Sequence, residues 1–467
     1  MRIFLQLCTS KKYKDIYIDM SEPKGALLLG TEDVGKLLQK YATPAIIAMT
    51  ASSLYNMIDS IFIGQGVGPL AISGLAITFP FMNLGAAIGA MIGVGASTVT
   101  AIELGKKNYE KSCRALANTI MLNVFFGIIF TVVCLAFLKP ILLFFGASEN
   151  TLPYAYEYMQ VILLGNIITH LYHGLNSVLR ASGHPNEAMI ATIITVLANV
   201  ILDWLFIFPL GMGIRGAAIA TVLAQTLPLI YLFKIFLNKN ELVHLDRKDF
   251  VFDIKIVKDI LAIGVSPLLL NSALCVIVIL INNGLKKFGG DLSVGAYGIV
   301  NRVTFFFTMI VMGITQGMQP IVSYNYGARQ HERVSEALKK AILLAIATLS
   351  FGCIVGETIP RLVCSLFTND GELLNYSVDG MRIVMATFPI IAFPIVIGNF
   401  FQSIGKAKKS IVLSLSRQVL FLIPLLIVLP NFMGIKGVWW SIPISDVIAT
   451  ILSLIMIYRY YKFDVKS

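Results

Sequence analysis

The stretch Leu70-Ala-Ile-Ser-Gly-Leu-Ala-Ile77 returns 222 residues later as Leu292-Ser-Val-Gly-Ala-Tyr-Gly-Ile299. The same offset relates Gly95 to Gly317, Gly105 to Gly327, Glu110 to Glu332 and Gly183 to Gly405. Gly213-Ile-Arg-Gly216 recurs as Gly434-Ile-Lys-Gly437 at offset 221, and Pro44 matches Pro267 at offset 223. So constant an offset across so many positions marks an internal duplication. The fold is therefore built from two like halves.

Both halves are too apolar for water. Of 467 residues 57% are hydrophobic and only 13% charged, with a mean hydropathy of +0.79. Soluble globular chains are about a quarter charged. An apolar run of about 20 residues spans the hydrocarbon as a helix. Twelve such runs are expected, at roughly 41–63, 71–98, 115–138, 154–178, 187–208, 214–237, 258–283, 294–319, 336–358, 376–401, 408–429 and 436–458. The reading is an all-α membrane protein with twelve transmembrane helices in two six-helix repeats. The first forty residues carry mixed charges and no long apolar core before a small-residue site, so no signal peptide is expected there. Met20 offers an alternative start, which would make the first nineteen residues dispensable.

Lys and Arg concentrate in alternate loops, eighteen on one side against six on the other. That bias places both termini in the cytoplasm. It also absorbs most of the formal charge of +11, so no nucleic-acid partner is expected. Six is even, so the halves are parallel repeats about an axis along the membrane normal. Residues 1–40 then form a cytoplasmic segment, 41–237 a first lobe, 238–257 a charged linker and 258–460 a second lobe. Carriers built this way alternate access by moving one lobe against the other around a midplane site.

Several chemistries are disfavoured. The Gly-Lys pairs at 35, 105 and 405 lack the remainder of a phosphate-binding loop, which leaves an ion gradient or a partner as the expected energy source. The cysteines (Cys8, Cys113, Cys134, Cys275, Cys353, Cys364) and the five histidines form no metal-ligand spacing. Neither a disulfide framework, a zinc site nor a cofactor is expected. No clustered nucleophile and base points to an enzyme. Gly85, Gly89 and Gly93 share one helix face and read as close helix packing.

An ionisable residue inside a span is a functional candidate by default. Asp59 lies nineteen residues into the first span and Asp203 well inside the fifth. Asn199 and Asp203 are i and i+4, as are Ala217 and Thr221 in the sixth, so each pair shares a face. Two carboxylates, a carboxamide and a hydroxyl are hard oxygen ligands for Na⁺ or a proton. Two such acids held close together do not both stay ionised. In the second half Asp59 corresponds to Asn282 and Asp203 to Leu425, so ion coupling is assigned to the first lobe. Arg302, Arg417 and Asp446 read as a structural ion pair or cluster, and His170 and His173 as packed side chains near the cytoplasmic end of the fourth span. The Met and Phe content reads as ordinary core and lipid-facing surface.

The pattern Pro44…Tyr55-Asn-x-x-Asp59-x-x-Phe-Ile-Gly64, with Gly93-Val-Gly-Ala-Ser97 and Leu104-Gly-Lys-Lys107, resembles the multidrug and toxic compound extrusion (MATE) family. So do Asn199-x-x-x-Asp203, Gly216-Ala-Ala-Ile-Ala-Thr221 and Gln319-Pro-Ile-Val-Ser-Tyr-Asn-Tyr-Gly327. The resemblance runs from about residue 36 to 460 and favours the DinF/MepA-like branch. It implies a V-shaped pair of bundles and a proton- or sodium-driven antiporter in the bacterial inner membrane, expelling small cationic amphipathic compounds. It also implies a first-lobe cation site at Asp59, Asn199, Asp203, Thr221 and the Ala217 carbonyl, with a bending proline at Pro44. The NorM-like seventh-helix glutamate has no counterpart in Asn271-Ser-Ala-Leu-Cys-Val276. The working unit is expected to be a monomer contacting only membrane lipid and cargo. The competing reading is a lipid-linked oligosaccharide flippase, whose cavity would need several cationic residues where this first lobe carries acids.

Overall fold

The computed structural model of the chain describes residues 25–368 and 370–464. The alternative start at Met20, the first nineteen residues and Cys8 lie outside the described residues. A short helix α1 (Gly25–Leu28) precedes α2 (Val34–Gly66), α3 (Pro69–Gly105), α4 (Tyr109–Ala136), α5 (Leu138–Phe144), α6 (Leu152–Leu164), α7 (Asn166–Ala181), α8 (Pro185–Ile207) and α9 (Gly213–Phe236). The second half runs α10 (Ile254–Gly290), α11 (Leu292–Gly327), α12 (His331–Thr358), α13 (Pro360–Ser365), α14 (Gly371–Met385), α15 (Phe388–Ser403), α16 (Ala407–Met433) and α17 (Ile435–Arg459). Ten described helices are long and apolar enough to cross a membrane, and α14 with α15 makes an eleventh crossing bent by 54°. The expected fourth span is carried by α6 and α7, of 13 and 16 residues, which meet at Gly165. The break in the second half falls at residues 386–387, the position equivalent to Gly165.

Local chemistry sets the ends. The Asp33 carboxylate accepts from the Lys36 amide at 3.0 Å and so starts α2, a side-chain cap. Asp253 caps α10 in the same way through the amides of Lys255 and Ile256. Backbone turns repeat with the duplication. Left-handed φ values occur in equivalent pairs at Gly68 and Gly290, Lys107 and Arg329, Gly183 and Gly405, and Gly213 and Gly434. Conformations that exclude most side chains have thus been kept in both copies.

The two lobes touch on the face that carries residues 25–33, here the terminal face. A methyl group added to Gly95 would fall 2.0 Å from the Ile260 carbonyl oxygen, and one on Gly264 1.9 Å from that of Met91. On Gly105 it would fall 1.9 Å from the Tyr324 oxygen, and on its repeat mate Gly327 2.1 Å from that of Ile102. Tyr324 and Ile102 are themselves repeat mates, so one contact is used twice about the pseudo-twofold axis. Gly313 and Gly317 meet the backbone of α2 at Ile46 and Ala42. Gln319 adds bonds from its Nε2 to Ser97 Oγ at 2.9 Å and Thr98 Oγ1 at 2.8 Å. Arg180 Nη1 reaches Gln316 Oε1 at 2.7 Å. Beneath this seam, Arg333 donates to the carbonyls of Leu29 and Glu32, and Asn325 to that of Leu29.

The connection between α9 and α10 docks under the first lobe. Asn118 Nδ2 donates to the Val251 carbonyl at 3.0 Å, and the Asp253 amide to Asn118 Oδ1 at 3.2 Å. His184, in the turn before α8, lies 3.5 Å from Glu187 and 3.0 Å from Glu241 of the connection. Glu187 foremost, with Glu241 behind it, raises the imidazole above its ordinary value against the opposing effect of burial.

Two outcomes follow from these contacts. Gly105→Ala or Gly327→Ala should loosen the seam by about 1–3 kcal/mol, the usual cost of overpacking, and increase thiol-reagent access to cysteines placed there. Gly298→Ala, where nothing lies within 4 Å, is the control and should change neither access nor melting. The His184 contribution is complete below the unfolded imidazole value near 6.5 and is lost as pH rises through the higher folded value. Amide-exchange protection of residues 241–253, corrected for intrinsic rates, should therefore fall as pH rises above about 6.5. His184→Asn should abolish that dependence.

Candidate functional site

On α8 the buried positions are Ala188, Ala191, Thr195, Asn199, Asp203 and Ile207, a three-and-four spacing that defines one helix face. The other face turns Leu197, Ile201 and Trp204 outward. Asn199 and Asp203 are therefore carried into the lobe on this buried face. Thr221 sits on the buried face of α9 beside Ala217. Asn199 Nδ2 donates to Thr221 Oγ1 at 3.4 Å, and Thr221 Oγ1 donates to the Ala217 carbonyl at 3.1 Å. Asp59 of α2 is buried against α8, and its carboxyl interacts directly with that of Asp203. The structure thus brings together Asp59, Asn199, Asp203, Ala217 and Thr221 from three helices.

Their hydrogen-bonding state is unbalanced. Asp59 Oδ1, Asn199 Oδ1 and both oxygens of Asp203 are buried without a donor. Two carboxylates are acceptors only, so they satisfy one another only through a shared proton. Leaving such oxygens unpaired costs about 1–3 kcal/mol each, and more for charged groups. What the set lacks is positive charge: one proton, or a small hard cation that oxygen ligands accept. Among the described residues no three His, Cys, Asp or Glu side chains converge.

One turn further on, Ile63 follows Asp59 and Ile207 follows Asp203, both buried in the same apolar cluster. Phe62 and Phe208 stack edge to face beside them at 6.0 Å. This layer, which sequence reading did not anticipate, roofs the acids on the side away from the terminal face. Its signal was present as i+4 apolar positions after each acid. Pro44 lies fifteen residues before Asp59 in the same helix, about 22 Å along its axis at 1.5 Å per residue. It stands among Ala42 and Ile46, where α2 meets Gly317 and Gly313.

The second lobe is built differently. Arg417 Nε donates to Asp446 Oδ1 at 2.7 Å, and Thr387 Oγ1 to Asp446 Oδ2 at 3.2 Å. Arg417 belongs to a π-helical turn, Ser416–Leu422, and Thr387 to the break between α14 and α15. Arg302 is exposed and is not among the side chains that bond Asp446. Gly85, Gly89 and Gly93 pack against Asn166, His170 and the His173–Gly174 backbone. His170 is fully buried five residues past the Gly165 break.

The MatE family description matches this chain twice, over residues 44–205 and 263–428, once in each half of the duplication. Over 424 residues the chain is 25% identical to the multidrug export protein MepA of Staphylococcus haemolyticus, covering 91% of this chain and 93% of that protein. A multidrug resistance MATE family transporter of the MOP superfamily, solved in an outward-facing conformation, superposes with a TM-score of 0.89 at 25% identity. That match covers 95% of this chain and 99% of the other. A MATE structure in a bent conformation gives 0.90 at 25% identity, over 95% and 100%. Matched in both halves and superposable along nearly its whole length, this chain belongs to the MatE family and is a multi-pass MATE transporter.

Proposed function

We propose that the chain exports small cationic amphipathic compounds across the bacterial inner membrane in exchange for H⁺ or Na⁺. The observation that carries this reading is the cluster of donor-less buried oxygens of Asp59, Asn199 and Asp203. The name of the Staphylococcus haemolyticus relative, a multidrug export protein, supports the cargo class. The terminal face is assigned to the cytoplasm by its excess of Lys and Arg, with both termini there.

The chemistry runs through α2. A proton or Na⁺ entering between Asp59 and Asp203 cancels one of the pair's two negative charges and gives their facing oxygens a shared partner. Asn199 and Thr221 orient the oxygens, and the bond from Thr221 fixes the Ala217 carbonyl beside them. Pro44 lacks the amide hydrogen that would tie this helix turn, so α2 can bend there as the charge at its far end changes. Bending moves the segment that meets Gly313 and Gly317, which links ion occupancy to closure of the terminal face. Cargo and ion must favour different arrangements of the lobes, since a ligand shifts an equilibrium only by its differential affinity.

Proteoliposomes loaded with ethidium, with a pH or Na⁺ gradient imposed separately, test the scheme. One gradient should drive efflux and Asp203→Asn should abolish it. The same substitution removes an acid with no hydrogen-bond donor, so the variant should melt at the wild-type temperature or above. Efflux that survives in Asp203→Asn sinks the proposal. A melting temperature several degrees lower would instead make Asp203 a structural residue.

A further inference from the structure

A second buried polar cluster lies in the first lobe on helices that do not carry the acids. Asn166, His170 and Gly174 follow one another at four-residue spacing on α7, and Asn123 and Gly127 do so on α4, so each set shares a face. The two faces meet. A methyl group on Gly174 would fall 2.3 Å from Asn123 Nδ2, and one on Gly127 3.6 Å from His170 Nδ1. On the α3 side, His170 Nε2 lies 2.9 Å from the Gly85 carbonyl oxygen. Gly89 brings α3 so near that a methyl there would lie 3.2 Å from His170 Cα. A carbonyl oxygen only accepts, so Nε2 carries the hydrogen and Nδ1 is a bare lone pair.

Three atoms of this cluster are buried with no partner: His170 Nδ1, Asn123 Oδ1 and Asn166 Nδ2. Two accept and one donates. An imidazole that merely packed would present Nδ1 to an apolar wall. Here amides of opposite polarity flank it one turn away on either side, and the missing side chain of Gly127 faces it. Water donates two hydrogen bonds and accepts others. Buried waters in proteins typically make about three bonds to groups left unpaired in this way.

We infer that the junction of α3, α4 and α7 is a hydrated site, holding ordered water between Asn166 Nδ2, His170 Nδ1 and Asn123 Oδ1. The site is separate from the acid pair and does not depend on the cargo or ion assigned above.

The test is magic-angle NMR on the full chain in lipid bilayers with ¹⁵N-labelled histidine. The His170 signal should show the Nε2–H tautomer at neutral pH, with magnetisation transfer from water to the ring. Asn123→Leu should cut that transfer several-fold while the protein still melts cooperatively, and Asp203→Asn should leave it unchanged. The wild-type spectrum decides the question even where the leucine variant does not fold. An Nδ1–H tautomer, or a ring that receives nothing from water, overturns the inference. A density map that resolves water should also place a peak within about 3.2 Å of Nδ1, and none there would overturn it equally.

Discussion

At the terminal face two backbones lie where no side chain fits. Glycines of one lobe rest on the backbone of the other, so the approach is set by the absence of a methyl group at Gly95, Gly105, Gly264, Gly313, Gly317 and Gly327. In a membrane the hydrophobic effect does not favour helix contact over lipid contact, and packing through small residues takes its place. Such a seam is set by backbone approach and not by charge. The duplication makes it economical, since Gly105 on Tyr324 and Gly327 on Ile102 are one contact used twice.

The lobes share that backbone but not their polar load. Equivalent turns, equivalent breaks and equivalent glycines persist at a nearly constant offset, because each answers to packing that any substitution would disturb. The buried acids differ between the halves, with Asn282 and Leu425 at the positions of Asp59 and Asp203. The first lobe holds two acids whose oxygens want a proton or cation, whereas the second holds an acid already satisfied by Arg417 and Thr387. Breaking a buried pair of the second kind would cost about 3–5 kcal/mol by stranding its partner. The first kind gains by acquiring a charge. One scaffold thus carries a lobe with donor-less buried oxygens and a lobe whose acid is paired.

Sequence disclosed the duplication, the lobes and the five residues of the acid cluster, because each leaves a mark in spacing: a repeat offset, an apolar run, an i+4 pair. It disclosed less where geometry depends on tertiary contact. The fourth span reads as one helix at 154–178, yet it splits at Gly165, where the packing of Val222 against that glycine leaves no signal in hydropathy. Lys107 and Arg329 form a pair of left-handed residues that no composition rule singles out. Arg302 was grouped with Arg417 and Asp446 by its place in a span, but its side chain is exposed. The docking of the 238–257 segment under Asn118 and His184 is equally invisible when it is read only as a charged linker.

The kind of unpaired atom distinguishes the two polar clusters of the first lobe. Around Asp59 and Asp203 every orphan is an acceptor, and several acceptors converging without a donor are relieved by a proton or a metal cation, whose charge also offsets the desolvation of the acids. Around His170 the orphans are of both signs, and a cation would leave Asn166 Nδ2 facing positive charge. Water, which donates and accepts, completes that set without changing its charge. Both clusters lie within one bundle and are lined by similar apolar residues. The two proposed ligands therefore differ by the sign of the missing partner.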